Sequence, residues 1–381
     1  MVAMNRARDT LDTSQVIVIK VGSALLVDEQ HNQINQEWLA GIAADIAGLH
    51  TTGKAVVVVS SGAIALGQQG LCLPETGLRL EEKQAAAAIG QVILANAWMV
   101  ALAKHDISTA QILLSPDDTE TRRRHLNARA TMKTLLQLKS VPVVNENDTV
   151  TTAEIRYGDN DRLAARVAAM LSADMLILLS DVDGLYTEDP TQNSAATHLA
   201  EVDALTPEVL KMAGSANATY ASGGMVTKLE AARIATKAGC DMVICNGQSL
   251  RPLSRLRDSA RSTLFHAGAS PLTARKQWIA GALSPKGRLT IDSGALGALR
   301  KGRSLLPAGV MTVEGQFERG DLIAIHNQVD EVIAHGLSAY SAEDANIIRG
   351  HKSREIEALL GYRGRDEIIH ADNLVMMDTS S

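Results

Sequence analysis

The sequence predicts an α/β protein: a three-layer αβα sandwich on a mainly parallel sheet, followed by a small, mostly β domain. Three observations carry that expectation. Short β-branched or aliphatic runs alternate with Ala-, Leu-, Gln- and Glu-rich helical stretches through the first 260 residues. Those runs are continuously apolar, as in strands covered on both faces. After about Ala260 the texture shifts to short runs broken by Gly, Asp and Asn.

In chain order the predicted strands are Val16–Val21, Ala55–Ser60, Thr109–Leu114, Val141–Asn145, Met175–Ser180 and Met242–Asn246. Helices are expected over 36–50, 81–104, 125–138, 161–173 and 226–239. Met225, Leu229, Ala232 and Ala235 fall at i, i+4, i+7 and i+10 and give the last helix one apolar face. Residues 1–13 read as a polar, disordered N-terminal extension, 14–260 as the α/β domain and 261–285 as a connector. Residues 286–364 read as the small domain, with runs at Leu289–Ile291, Val310–Val313, Leu322–Ile325 and Glu331–Leu337, and 365–381 as a tail.

Composition removes whole classes of function. Among 381 residues 46% are apolar and 21% charged, which excludes a disordered chain, a collagen and a coiled coil. The net charge is -6, so a whole-chain electrostatic grip on nucleic acid is not expected. Two Phe, five Tyr and three Trp do not make a base-stacking surface. Cys72, Cys240 and Cys245 form no CxxC pair and no disulfide framework, which fits a reduced, cytoplasmic protein with buried thiols. The first fifteen residues lack the apolar core of a secretory signal. The stretch Ala85–Ala103, interrupted by Gly90, Gln91, Asn96 and Trp98, reads as a buried helix, and no membrane partner is expected. No Ser/His/Asp order and no HExxH motif is visible among the ten histidines.

In parallel sheets ligands sit outside the carboxyl ends of the strands. The residues just past each strand are therefore the informative ones. The first strand ends Lys20-Val21-Gly22-Ser23. A lysine in an apolar strand is costly unless its ammonium reaches water or an anion. Ser60-Ser61-Gly62-Ala63 closes the second, a tight turn of small residues. The fourth runs into Asn145-Glu146-Asn147-Asp148-Thr149 and then Tyr157-Gly158-Asp159-Asn160-Asp161, a dense set of carboxylates and amides. Such a set suits a substrate amine, an ordered lysine, or Mg²⁺ shared with phosphate oxygens. The fifth ends Ser180-Asp181-Val182-Asp183-Gly184-Leu185-Tyr186, with an Asp placed for a ribose or base. Ser222-Gly223-Gly224-Met225-Val226-Thr227-Lys228 leads into a helix, an anion cradle that lacks Walker spacing. Each element alone has a bland reading as a turn, a cap or a solvated loop. Together they put two lysines, three Gly/Ser turns and several carboxylates at one sheet edge, the parts of a phosphoryl-transfer site.

This ordered motif series resembles that of the glutamate 5-kinases, within the amino acid kinase family. The tail, with Asp292-Ser293-Gly294-Ala295 and Phe317-Glu318-Arg319-Gly320-Asp321, is similar to the PUA module attached to bacterial members. The resemblance runs from about residue 14 to near the end. It implies the amino acid kinase fold and ATP-dependent phosphorylation of the γ-carboxylate of L-glutamate, the first step of proline biosynthesis, with Mg²⁺. It implies Lys20 and Lys228 as the cations on the transferring phosphoryl, with Asp161 holding them. It also implies Ser60, Asp148 and Asn160 on glutamate. Lys20, Ser180, Asp181, Ser222, Gly223, Gly224, Met225, Val226, Thr227 and Lys228 would bind ATP. Feedback inhibition by proline, a glutamyl phosphate reductase as next-step partner and a homo-oligomeric state come with the same resemblance. Two departures bear on the nucleotide loops. Ala221-Ser222 stands where the family has Gly-Thr, and Ser262-Thr263 stands where it has Gly-Thr near the domain's end.

Two alternatives stay open at the level of sequence. One is an RNA-binding or regulatory PUA protein. Residues 286–364 hold ten Lys+Arg against ten Asp+Glu, which argues against RNA. The other is a sister kinase acting on aspartate, acetylglutamate, carbamate or a nucleoside monophosphate.

Overall fold

The computed structural model describes residues 6–28, 33–74, 77–151, 160–213, 224–281 and 285–377. The chain divides into two compact units, residues 1–271 and 272–381.

The first unit is built on an eight-stranded sheet. Its order, by strand, is Glu201–Val202, Ser262–Phe265, Asp241–Asn246, Met175–Ser180, Val16–Val21, Ala55–Ser60, Val141–Glu146 and Thr109–Leu114. Six strands from Asp241–Asn246 to Thr109–Leu114 run parallel. Their inner residues point alternately to two cores. On one side Ile17, Ile19, Val56 and Val58 pack with Trp38, Ile42, Trp98 and Leu102 from the helices Gln36–Thr51 and Leu80–Ala103. On the other Val18, Val57, Leu176 and Leu178 pack with Leu163, Val167, Leu229 and Ala232 from Asn160–Leu171 and Met225–Lys237. This is the expected αβα sandwich on a mainly parallel sheet.

Several expectations need correction. Ser262–Phe265, read as connector, is a fully buried strand antiparallel to Asp241–Asn246, and Pro271–Gly281 is a helix. Four residues that begin Ser-Thr carry no apolar run long enough to register. The polar start of the chain is a helix, Arg6–Thr13, with Ala7 and Leu11 buried. Lys54, itself buried, donates to the carbonyls of Asp12 (2.7 Å) and Ser14 (2.6 Å), so a long-range cation caps that helix's carboxyl end. Leu80–Ala103 is long and apolar enough to cross a membrane by length and composition. It buries only one face, while Ile89, Val92, Ile93, Met99 and Val100 are exposed. Cys240 and Cys245 are buried as expected, but Cys72 is exposed.

The same helix crosses Ala63–Gly70 with unusual closeness. A Cβ on Gly67 would lie 1.8 Å from the Ala86 carbonyl oxygen, and one on Gly90 1.7 Å from that of Ala63. Only glycine fits at either place.

The second unit has a five-stranded sheet in the order Val310–Gly315, Gly287–Ile291, Leu322–His326, Val332–Leu337 and Leu374–Met376. Its core includes Leu289, Phe317, Ile323, Ile325, Ile368 and Leu374. The supposed tail therefore supplies a strand, antiparallel to Val332–Leu337. Three residues, Leu-Val-Met, are too few for a period to show.

Candidate active site

Lys20 sits one residue from the carboxyl end of the central strand Val16–Val21. Period two sends its side chain to the side of Val18, the side covered by Asn160–Leu171. Asp161, on the first turn of that helix, meets it there. Lys20 Nζ lies 2.5 Å from Asp161 Oδ1, and Lys228 Nζ lies 3.2 Å from Oδ2. Lys228 comes from the first turn of Met225–Lys237, where Thr227 Oγ1 also donates to Asp161 Oδ2 at 3.4 Å. Two lysines 208 positions apart thus share one carboxylate.

All three groups are almost closed to solvent: Asp161 is 0% exposed, Lys228 5% and Lys20 7%. Burial alone would raise the Asp161 carboxyl. The ammonium groups of Lys20 and then Lys228 more than offset it and hold the carboxyl below the ordinary carboxylate range. Asp161 is therefore a fixed anion. Two cations share this one carboxylate in a poorly screened place, with Lys20 beside Gly22. An incoming polyanion would find the cations preorganised rather than have to gather them.

To one side of Lys20 lie amides. Asn160 Nδ2, at the start of its helix, is 2.7 Å from Ser61 Oγ, 2.9 Å from Asn145 Oδ1 and 3.3 Å from the Ser60 carbonyl. One side chain thus ties together the ends of the strands Ala55–Ser60 and Val141–Glu146. Asp148 lies in the turn after the latter, half-buried. Ser60 differs from expectation. Its hydroxyl is fully buried and accepts the indole N–H of Trp98 at 3.0 Å. The side chain turns into the core, and Ser61 presents the hydroxyl at the edge.

To the other side lies the turn after Met175–Ser180. Ser180 Oγ donates to Asp181 Oδ1 at 2.8 Å. Asp181 is exposed. Gly224 caps the helix Met225–Lys237 with no side-chain bond. The Thr227 N–H donates to the Gly224 carbonyl at 3.2 Å, and Met225 and Val226 lead the helix, whose positive end faces this edge. Ser222 and Gly223, with Ala221 and Tyr157–Asp159, lie outside the described residues. Thr263 keeps the hydroxyl of the family's Gly-Thr: fully buried, it accepts from the Leu185 N–H at 2.7 Å and donates to the Leu199 carbonyl at 2.5 Å. It pins the Asp181–Tyr186 turn from below. Trp98 and the residues beyond Asn246 gave no signal as site neighbours, because only the fold brings them near.

Among the described residues one three-donor group could hold a metal, Glu201, Asp203 and His266. Strand direction puts it at the amino ends of the parallel strands, opposite Lys20. At the lysine edge Asp161 already has both oxygens on ammonium groups. The donor chemistry there fits a hard cation carried in on phosphate oxygens rather than one held in a protein cage.

Residues 15–246 match the amino acid kinase family and residues 287–360 match the PUA domain. The glutamate 5-kinase of Paramagnetospirillum magneticum is 56% identical over 366 residues, 96% of this chain and 99% of that protein. Glutamate 5-kinase 1 of Rhizobium meliloti is 55% identical over 373 residues, 98% and 95% of the two chains. Among solved structures, a UMP kinase from Bacillus anthracis superposes with a TM-score of 0.48 at 16% identity, covering 67% of this chain and 97% of that one. With its lysine-paired site on the parallel sheet's carboxyl edge and its near-full-length likeness to the two glutamate 5-kinases, the chain belongs to the amino acid kinase family, among the glutamate 5-kinases.

Proposed function

We propose that the chain transfers the γ-phosphoryl of ATP to the γ-carboxylate of L-glutamate, giving ADP and L-glutamyl 5-phosphate, the committed acyl phosphate of proline synthesis. The observation that carries the reading is the Asp161-held pair, Lys20 and Lys228, at the carboxyl edge of the sheet.

The chemistry asks for little else. The acceptor's reference pKa is about 4.3, so it is already an anion near neutrality and needs no general base. The obstacle is bringing it against a triphosphate. Two fixed ammonium groups reduce that repulsion and follow the charge as it spreads over the transferring oxygens. A divalent cation on the phosphates, Mg²⁺ in this proposal, supplies further neutralisation when bound. The carboxylate oxygen forms a bond to phosphorus as the bond to the β-phosphate oxygen breaks, and ADP leaves with that electron pair.

The site then divides about Lys20. We assign the amide side, Asn160, Asn145, Ser61 and Asp148, to glutamate, whose ammonium and α-carboxylate need paired acceptors and donors. Ser60 contributes its carbonyl and its hold on Trp98. We assign the Ser180–Asp181 turn and the N-terminus of Met225–Lys237 to the nucleotide. Proline, which shares glutamate's α-carboxylate and amine, would compete on the amide side. A reductase that consumes the labile acyl phosphate, a homo-oligomeric state and a cytoplasmic setting complete the proposal.

The test is a substrate panel with hydroxylamine trapping. With ATP and Mg²⁺, glutamate should yield the hydroxamate, while aspartate, acetylglutamate and carbamate should not. Lys20→Ala and Lys228→Ala should each lower kcat by about 10²-fold or more. Wild-type turnover in both variants would overturn the mechanism.

A further inference from the structure

The strand Asp241–Asn246 ends beside Met175–Ser180, with Asn246 in register with Ser180. Both halves of the Asn246 amide are used. Nδ2 donates to the carbonyl of Asp181 at 3.1 Å, and Oδ1 accepts the N–H of Gln248 at 2.9 Å. The next residue adds a third link, since the Gly247 N–H donates to the Ser180 carbonyl at 2.7 Å.

Gly247 is itself wedged. A Cβ there would lie 2.5 Å from Leu25 Cδ1 and 2.9 Å from Leu179 Cβ. Its carbonyl accepts the indole N–H of Trp38, 2% exposed, at 2.7 Å. A few residues on, buried Asp45 holds Arg251, Leu253 and Ser254 through bonds of 2.6 to 3.2 Å. The segment that carries Asn246 is therefore tied to the helix Gln36–Thr51 behind the sheet, and is rigid where it reaches the Asp181 turn. That turn has Thr263 beneath Leu185 and Asn246 beside Asp181. Asp181 is the exposed member, and its own backbone carbonyl is the atom Asn246 grips.

We propose that Asn246 is a positioning residue for the nucleotide: by holding the Asp181 carbonyl it fixes the turn on which the nucleotide's ribose and base rest. The proposal rests on the assignment of the Ser180–Asp181 side to ATP. Asn246 acts through Asp181 and does not act on the phosphoryl group, so its loss weakens nucleotide binding and leaves the acceptor side alone.

Two variants separate the bond to Asp181 from the local turn. Asn246→Asp keeps an oxygen for the Gln248 N–H but removes the donor to Asp181. Asn246→Ala removes both. A lost hydrogen bond changes affinity by about 5- to 10-fold. In the full chain, KM for ATP should rise by about that factor in both variants, while KM for glutamate and kcat stay within about 2-fold. ADP binding by calorimetry should weaken in parallel, a readout that does not need turnover. Wild-type ADP affinity in Asn246→Asp with weakened affinity in Asn246→Ala would mean that only the local turn matters and would overturn the proposal. So would equal changes in the two KM values, as would a lowered melting temperature with unchanged ADP affinity. A wild-type chain that binds ADP but forms no glutamyl hydroxamate sinks the glutamate reading instead, and the ADP titrations still decide on Asn246.

Discussion

Replacing Asp161 with asparagine removes the carboxylate that two buried cations share and keeps the side chain's volume. Breaking a buried ion pair by removing one partner costs about 3–5 kcal/mol, because the partner is left buried and uncompensated. Here two partners are left, Lys20 and Lys228, 7% and 5% exposed. Asparagine still offers one acceptor oxygen, so the lower end, about 3 kcal/mol, is expected. With a urea slope of about 2–3 kcal/mol per molar, the midpoint should fall by about 1–1.5 M. Tryptophan fluorescence reports it, because Trp38 and Trp98 sit in the first unit's core. The pH dependence has a definite sign. Asp161 is held below the usual carboxylate range in the folded chain. Its contribution is thus fully present above the unfolded value of about 3.9 and is lost as pH falls through the folded value. The difference between wild type and variant should therefore be full at pH 7 and shrink below about pH 4. Tripolyphosphate should stabilise the variant more than the wild type, since it supplies the missing negative charge. Turnover should fall by about 10²-fold, because two repelling ammonium groups no longer converge. A midpoint shift below about 0.3 M together with near-normal turnover would refute this reasoning.

Gly90→Ala should force the helices Ala63–Gly70 and Leu80–Ala103 apart, costing about 3 kcal/mol or more, and a fall in urea midpoint or in soluble yield checks it. Trp98→Phe strips the Ser60 hydroxyl of its buried donor. A loss of about 1–2 kcal/mol in unfolding free energy, with KM for glutamate changed less than about 3-fold, is the expected pair of readings. Millimolar proline should raise the apparent KM for glutamate and leave kcat unchanged, as initial rates at several glutamate concentrations will show.

The central sheet was legible because burial on both faces writes itself as unbroken apolar runs. Val16–Val21, Ala55–Ser60, Thr109–Leu114 and Met175–Ser180 have the same ends in the sequence and in the structure. Lys20 was legible for a related reason, since a cation inside such a run demands an anion, whereas its pairing with Lys228 through Asp161 came from the family resemblance. Ser262–Phe265 and Leu374–Met376 were not, because each is held by its neighbours and carries no period of its own. The helix Arg6–Thr13 has only two buried side chains, and the lysine that caps it lies forty residues away. Side-chain direction was the least accessible. Ser60 and Ser61 are alike on paper, and only Trp98, from a helix behind the sheet, decides which hydroxyl faces inward.

The clamp of Lys54 on the end of Arg6–Thr13 fixes where the polypeptide can be handled without disturbing its chemistry. That helix finishes at the amino ends of the strands, about 20 Å, one strand length, from the lysine pair. A dye, an affinity handle or a surface tether joined there would leave the reacting edge open to its two substrates. The same attachment would also report, through its own mobility, whether the sheet's far border has begun to fray.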